Sequence, residues 1–223
     1  MQSNRQKNKN RPVLVAVFAH PDDEAFGPAG TIALYSQTHD IYLLCATKGE
    51  EGGKDKKIAQ VRQNELLSSA NVLGVKKVFF LGFKDGTLCN NLYHKLTAKI
   101  EEKFKELNPE VIMTAEPLGV SGHIDHIMVS LATTFVFKKL KFIKTLMYYC
   151  IDKKAAAHME HYFIYFPPGY SKKDVDKVVD ISNVWNQKIG AISAHKSQKE
   201  DAKTILKRNE GLSKEEYFLI LNK

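Results

Sequence analysis

Short apolar segments alternate with amphipathic ones along the first 150 residues, and this alternation constrains the fold more than any other feature. Five runs rich in Val, Ile and Leu have the length of strands that are buried on both faces. They lie at Val13–Ala19, Ile41–Thr47, Lys77–Leu81, Val111–Ala115 and Leu146–Ile151. Helical segments separate them, at Gly27–Gln37, Ile58–Leu73, Tyr93–Leu107 and His123–Leu140. The alternation predicts a Rossmann-like three-layer α/β fold with a mostly parallel sheet.

The pattern is less regular after residue 151. Two strand-like runs and a helix are predicted at Tyr162–Phe166, Val178–Ile181 and Val184–Ala194. Ser197–Glu200 and Ser213–Glu216 both have the Ser-x-x-Glu spacing of a capping box, so two short helices are expected to close the chain. Because no repeat or linker divides this part from the rest, we predict a single domain over residues 13–223.

The N-terminal segment is polar and basic. Within residues 1–12, Arg5, Lys7, Lys9 and Arg11 supply half of the formal net charge of +8. No aromatic residues are interleaved with these basic ones, so we predict a disordered tail rather than a nucleic-acid-binding arm. No apolar run approaches the ~20 residues of a membrane span. A secretory signal is also lacking, and a cytoplasmic location is therefore expected.

Residue types that bind metals follow two of the predicted strands. The sequence Ala-His-Pro-Asp-Asp-Glu at 19–24 comes directly after the first strand, and 119–126 follows the fourth strand after a short loop. In a doubly wound sheet these two strands can be neighbours at the switch point, where ligands bind. Two imidazoles and one carboxylate are a standard ligand set for catalytic zinc, although other divalent metals are also compatible. We therefore predict a metal site there.

Each cluster taken alone has a simpler interpretation. Asp22 or Asp23 could cap the following helix, and His123 and His126 could belong to a solvated first helical turn. The occurrence of both clusters after buried strands favours the metal site. The run 158–161 also contains two histidines, but it has the character of an exposed strand start.

The chain resembles the PIG-L/LmbE-like deacetylase family in both clusters and in several shorter motifs. The shorter motifs are Gly30–Ala33, Ala46–Glu50, Arg62 with Glu65, Leu81–Phe83, Asp85-Gly86 and His195–Gln198. The family includes enzymes that act on GlcNAc-phosphatidylinositol and on the sugar precursors of mycothiol and bacillithiol. The resemblance implies a zinc-dependent hydrolase that removes the N-acetyl group from an N-acetylglucosamine conjugate, by attack of a zinc-bound water on the amide carbonyl.

The resemblance also implies which residues would hold the metal and accept a proton. His20, Asp23 and His126 match the zinc ligands of the family. Asp22, adjacent to a ligand, matches the general base. The expected cofactor is therefore Zn²⁺, with another divalent metal as the alternative.

Further roles follow from the same resemblance. His123, oriented by Asp125, would stabilise the tetrahedral intermediate. Arg62 and Asp85 match positions near the substrate in some members, whereas a structural ion pair or a turn is the alternative interpretation. Ser121 stands where some members carry a tyrosine that is proposed as the general acid.

Other functions remain open at this point. A hydrolase of a different amide or ester would use the same residues, and a non-catalytic protein could bind metal with them. A nucleic-acid-binding protein would instead depend on the basic tail. We expect a small N-acetylated sugar conjugate as the partner, with no nucleic acid and no membrane span, and we leave a homo-oligomer open.

Overall fold

A seven-stranded, mostly parallel sheet forms the centre of the single α/β domain. The computed structural model describes residues 11–157, 159 and 165–223. Its strands are β1 Val13–Phe18, β2 Asp40–Cys45, β3 Lys77–Phe80, β4 Val111–Ala115, β5 Thr145–Cys150, β6 Lys177–Asp180 and β7 Glu215–Asn222. Their order across the sheet is β3-β2-β1-β4-β5-β7-β6. The first five strands are mutually parallel, as predicted, whereas β7 runs antiparallel to both of its neighbours.

Helices cover both faces of the sheet. They are α1 Asp23–Phe26, α2 Ala29–Ser36, α3 Ile58–Val72, α4 Tyr93–Leu107, α5 Gly119–Gly122, α6 Ile124–Lys139, α7 Lys153–Ala156, α8 Trp185–Ala194 and α9 Lys199–Asn209. Alternate side chains of β1 point to opposite layers, as the period of a strand requires. Leu14 and Ala16 pack with α2, α3 and α8, whereas Val15 and Val17 pack with α4 and α6. The predicted three-layer architecture is confirmed.

The switch point lies between β1 and β4. From β1 the chain proceeds outward through β2 to β3 and then returns to β4 on the other side of β1. The loops that follow β1 and β4 therefore diverge and leave a crevice at the carboxyl edge of the sheet. The predicted proximity of the two polar clusters is confirmed by this pairing.

The predicted helix at Ser213–Glu216 is wrong. Glu215–Asn222 is a strand that pairs with β5, and Ser213 Oγ bonds to the carboxylate of Glu215 at 2.6 Å instead of a backbone N–H. An apolar run follows immediately, and Tyr217 and Phe218 are buried. Pairing with the free edge of β5 satisfies the backbone and buries this run together, which a short exposed helix could not do.

Strand β7 also places a buried carboxylate at the start of α2. Glu216 accepts the N–H groups of Gly30 at 2.9 Å and Thr31 at 2.7 Å, and it pairs with Lys188 Nζ at 2.7 Å. Lys188 in turn donates to the carbonyl of Gly27 at 2.7 Å. A negative charge at a helix N-terminus satisfies free amides and interacts favourably with the helix dipole. This contact fixes the α1–α2 junction, just after the first polar cluster.

Three further sequence predictions differ from the structure or fall outside it. The helix expected at Gly27–Gln37 begins two residues later, at Ala29, and ends at Ser36, since the preceding short helix α1 ends at Phe26. Residues 162–164 of the strand expected at Tyr162–Phe166, and residues 1–10 of the basic tail, lie outside the described residues. Arg11, at the end of that tail, donates to the carbonyl of Ser36 at 2.6 Å.

Candidate active site

Both polar clusters line one cavity at the carboxyl ends of β1 and β4. Its volume is about 820 Å³, and His20, Asp22, Asp23, His123 and His126 all contribute to its wall. His20 and Asp22 lie in the turn between β1 and α1, and Asp23 is the first residue of α1. His123 caps α6, and His126 lies in its first turn. Ligand pockets of small molecules commonly occupy this position in open α/β sheets.

Three potential metal-binding atoms converge at the bottom of this cavity. His20 Nδ1 and His126 Nε2 are 3.0 Å apart, and His126 Nε2 is 3.2 Å from Asp23 Oδ1. The other oxygen, Asp23 Oδ2, accepts the backbone N–H groups of Ala19 at 3.0 Å and His20 at 2.9 Å. These two bonds fix the carboxylate so that Oδ1 faces the imidazoles. Tetrahedral coordination by zinc places ligand atoms about 3.3 Å apart, so the two separations measured from His126 Nε2 suit a shared metal ion.

Hydrogen-bond partners determine which nitrogens carry protons. His20 Nε2 faces the carboxylates of Asp85 at 2.9 Å and Asp125 at 3.3 Å, and His126 Nδ1 faces the carbonyl of Gly119 at 3.0 Å. These partners only accept, so His20 Nε2 and His126 Nδ1 donate. When both rings are neutral, the lone pairs of His20 Nδ1 and His126 Nε2 therefore point toward each other. A metal ion or a proton between them is required. The residues fit a metal ion that would be held by these two nitrogens, with the carboxylates of Asp85 and Asp125 orienting the ring of His20.

The charges around His20 have a clear consequence for its protonation. Burial alone would lower the pKa of His20, but the carboxylates of Asp125 and Asp85 outweigh it and raise that pKa to about 10. For Asp85 the directions are reversed: burial alone would raise its pKa, but the hydrogen bond and charge of His20 lower that pKa to about 2. By contrast, burial lowers the pKa of His126. A proton therefore competes with a metal ion for His20, and metal binding would release it.

Two further residues of the second cluster have different roles. The donor atoms of His123 lie within 4.8 Å of those of His20 and His126, and Asp85 and Asp125 form a similar group with His20. His123 Nδ1 accepts the backbone N–H of Asp125 at 3.1 Å, which caps α6. The carboxylate of Asp125 instead accepts from Gly86 N at 2.8 Å and faces His20. Asp125 thus contacts His123 through its backbone and His20 through its side chain.

Asp22 lies next to the converging donors and has a strained backbone. Its φ of 124° is rare for a residue other than glycine, and such outliers occur often at functional sites. Its carboxylate accepts from Arg62 Nη2 at 2.7 Å. Burial raises the pKa of Asp22 to about 7, in spite of the opposing effect of Arg62. A carboxylate with such a pKa can take up a proton at neutral pH.

A buried network that sequence reasoning missed holds the backbone of Asp22. Glu24 Oε2 accepts the N–H of Asp22 at 3.1 Å. The other oxygen of Glu24 contacts His195 Nε2 at 2.8 Å and accepts from Ser69 Oγ at 2.5 Å. Glu24 and His195 are each about 1% exposed. His195 lies 171 positions from Glu24, so the family resemblance in the motif 195–198 was the only signal for it.

A second missed residue, Glu116, shapes the loop before α6. Its carboxylate accepts the N–H groups of Leu118 and Val120, each at 2.8 Å. Val120 has a φ of 64°, which is strained for a β-branched residue, and its side chain lines the cavity. The same loop presents the carbonyl of Gly119 to His126. Glu116 directly follows β4, and that position at a strand end was the signal that could have identified it.

The remaining predicted site residues also reach the cavity wall. Asp85 lines it and accepts the N–H of Glu51 at 3.2 Å. Arg62 lines it as well, and donates to the carbonyls of Gly49 at 2.8 Å and Pro21 at 2.7 Å in addition to Asp22. The run 158–161 contains both further histidines, and these lie outside the described residues. No helix of the described part of the chain is long and apolar enough to cross a membrane.

Comparison with known families gives one match over more than half of the chain. Residues 15–137 match the profile of the family PIG-L, described as GlcNAc-PI de-N-acetylase. The matched segment extends from β1 into α6 and so includes both polar clusters.

Curated relatives match across most of the chain. A probable N-acetyl-alpha-D-glucosaminyl L-malate deacetylase 2 from Bacillus cereus is 32% identical, over 85% of this chain and 84% of the relative. The protein of the same name from Bacillus anthracis is 29% identical, over 90% of this chain and 87% of the relative. Among solved structures, the N,N'-diacetylchitobiose deacetylase of Pyrococcus horikoshii superposes with a TM-score of 0.72 at 22% identity, covering 96% of this chain and 85% of that one. That similarity shows a shared fold.

Proposed function

Because this chain belongs to the PIG-L family it is a de-N-acetylase, and we propose that it hydrolyses the acetamide of a small N-acetylglucosamine conjugate with a zinc ion held by His20, Asp23 and His126. The named activities of the Bacillus relatives support a sugar conjugate as the substrate. A cytoplasmic location, as expected from the sequence, is part of this proposal.

The convergence of His20 Nδ1, His126 Nε2 and Asp23 Oδ1 is the observation that carries the proposal. All three atoms have a lone pair that can bind a metal ion when the two rings are neutral. His126 Nε2 lies 3.0 Å from His20 Nδ1 and 3.2 Å from Asp23 Oδ1. Imidazole and carboxylate ligands without a thiolate are typical of catalytic zinc sites that keep one open position. A divalent metal bound there would polarise the acetamide carbonyl and lower the pKa of water from ~15.7 toward ~7.

Asp22 is the proton acceptor in this proposal. Its carboxylate lies in the cavity wall beside Asp23, and burial brings its pKa close to neutral. Arg62 holds one carboxylate oxygen, so the other is oriented by the same contact. As water attacks the carbonyl carbon, Asp22 takes its proton, and the protonated carboxyl then gives a proton to the departing amine.

His123 is the proposed donor to the oxyanion that forms on the carbonyl oxygen. Burial and the neighbouring imidazoles lower the pKa of His123, so the ring is neutral at pH 7. Because Nδ1 accepts the N–H of Asp125, the neutral ring carries its proton on Nε2. A donor that is already in place costs no reorganisation when charge develops.

Arg62 and Asp85 are proposed to contact the sugar. Asp85 offers a carboxylate to sugar hydroxyls at the cavity wall. The two Nη atoms of Arg62 are engaged by internal partners, and its buried Nε has no partner among the described residues. Both residues therefore combine an internal structural contact with a place at the wall.

A deacetylation screen by mass spectrometry tests the proposal. Soluble N-acetylglucosamine conjugates are incubated with the protein alone, with a chelator, and after re-addition of zinc. We expect loss of one acetyl group, abolished by the chelator and restored by the metal.

Two histidine variants make the test specific. His126→Ala is expected to be inactive and depleted of metal, while His94→Ala, an exposed histidine of α4, keeps both. Turnover that is insensitive to the chelator and to His126→Ala would overturn the metal assignment. Tight metal binding without acetate release from any conjugate would favour the alternatives, a hydrolase of another amide or ester or a non-catalytic metal-binding protein.

A further inference from the structure

The cavity has a polar side and an apolar side, and we propose that the apolar side binds an uncharged, apolar aglycone of the sugar conjugate. This inference rests on the proposed deacetylase function and specifies its substrate class. It follows from the strand order, the side chains that line each side, and the engagement of the nearby cations.

The polar side lies beyond β1, over β2 and β3. Glu51 and Lys54 belong to the loop after β2, and Asp85 follows β3. The N–H of Glu51 donates to Asp85 at 3.2 Å, which joins the two loops into one wall. Carboxylates and amides of this kind match the hydroxyl groups of a sugar ring. The sugar therefore belongs on this side, with its acetamide at the metal ligands.

The apolar side lies in the opposite direction, over β5. Tyr149 and Ile151 come from the carboxyl end of β5, and Phe26 ends α1 one turn after the metal ligand Asp23. Phe166 completes this wall. Phe26, Tyr149 and Phe166 keep part of their surface exposed, so they present apolar area to the cavity.

The packing beneath this wall is close. A Cβ at Gly27 would lie 3.2 Å from the Tyr149 ring and 2.7 Å from the carbonyl oxygen of Asp23, so only glycine allows α1 to end there. The Tyr149 ring is thereby held against the end of the helix that carries the metal ligand. An apolar surface that is preformed beside the reacting amide can bind a ligand without first being ordered.

Among the described residues, the two cations that line the cavity, Arg62 and Lys54, are not placed to bind an acidic aglycone. Both Nη atoms of Arg62 are engaged by Gly49, Pro21 and Asp22, so a two-pronged bond to a carboxylate is not available from it. Lys54 is exposed and lies on the polar side. A carboxylate placed against the apolar wall would lose its hydration without gaining a paired charge from the part of the chain that the structure describes, which is costly.

The size of the cavity agrees with this assignment. Its volume of about 820 Å³ is near the upper end of pockets that enclose drug-sized ligands. A monosaccharide alone leaves much of the apolar side uncovered.

A rate comparison on three soluble substrates tests the inference with the metal-loaded wild-type protein. The substrates are 4-nitrophenyl N-acetyl-α-glucosaminide, N-acetylglucosaminyl L-malate and free N-acetylglucosamine, with released acetate as the readout. We expect kcat/KM for the aryl glycoside to exceed the other two by about tenfold or more, as expected for the burial of part of an aromatic ring. Equal or faster turnover of the malate conjugate overturns the aglycone assignment and leaves the deacetylase function intact. Absence of turnover on all three overturns both.

Two matched phenylalanine variants locate the effect. Phe166→Ser is expected to reduce the ratio of aryl to free-sugar kcat/KM by about threefold or more, because it removes apolar area from the wall. Phe135→Ser, on the exposed face of α6 and 47% exposed, is expected to keep the wild-type ratio. Equal ratios in the two variants would overturn the placement of the aglycone, and thermal melting confirms that each variant is folded.

Discussion

Replacing Asp22 by asparagine separates proton transfer from structure at this site. Arg62 Nη2 donates to Asp22 at 2.7 Å, and an asparagine carbonyl oxygen can accept the same bond. Arg62 also retains the carbonyls of Gly49 and Pro21. Loss of the charge on one hydrogen bond costs about 1.5–3 kcal/mol at most. A domain with the usual stability of about 5–15 kcal/mol remains folded after such a loss.

The effect on the rate is expected to be larger. An amide cannot take the proton of the attacking water, and a general base typically contributes about 10²–10⁴-fold. The expected loss of kcat corresponds to about 2.7–5.5 kcal/mol of activation free energy. Because His20, Asp23 and His126 are unchanged, Asp22→Asn is expected to keep its metal.

Metal content, kcat and urea unfolding are measured on the same preparation of Asp22→Asn. Asp174→Asn is the control, since it makes the same chemical change at an exposed position outside the cavity wall and is expected to match the wild type in metal content and kcat. Full metal with kcat within about twofold of the wild type would refute the base role, given the usual size of that contribution. Loss of the metal would mean that Asp22 itself is a ligand.

Three further predictions follow from the same geometry. Elemental analysis is expected to find about one divalent metal per chain, lost in both Asp23→Ala and His126→Ala; full metal in both variants would contradict the ligand set. Burial alone would lower the pKa of His195, but the carboxylate of Glu24 outweighs it and raises that pKa. The pair therefore stabilises the fold fully at a pH below the pKa of His195 in the unfolded chain, about 6.5, and the stabilisation is lost as the pH rises through its pKa in the folded protein. Urea unfolding between pH 6 and pH 9 should show a decline in the free energy of unfolding of the wild type. An equal decline in His195→Gln would show that the His195–Glu24 pair is not its cause. Val120→Gly relieves a φ of 64° and is expected to raise the free energy of unfolding by about 1 kcal/mol, whereas a lower value would show that no strain is stored there.

The placement of the two polar clusters could be predicted from the sequence because it depends on local patterns. Buried strands show as apolar runs, and the helices between them impose a parallel sheet. A residue that follows such a strand lies at the carboxyl edge of the sheet, whatever the details of packing. His20 and His126 could thus be assigned to one crevice before any coordinates were known.

The last strand shows where local patterns are insufficient. Ser213–Glu216 has the spacing of a helix cap, and its neighbours do not contradict a helix. The free edge of β5, which lies more than sixty positions earlier in the chain, decides the conformation instead. Local propensity is a weak preference that pairing and burial override.

The sequence by itself determined the fold class and the edge of the sheet at which the chemistry lies. The tertiary structure alone decided how the side chains are oriented and held: Asp85 and Asp125 on His20, the carbonyl of Gly119 on His126, and Glu24 with His195 behind Asp22. In the proposed mechanism, these contacts leave one nitrogen of each ring to bind a metal and one carboxylate to take a proton. They join residues from different loops, and only the packing of the sheet and its helices brings those loops within hydrogen-bond distance.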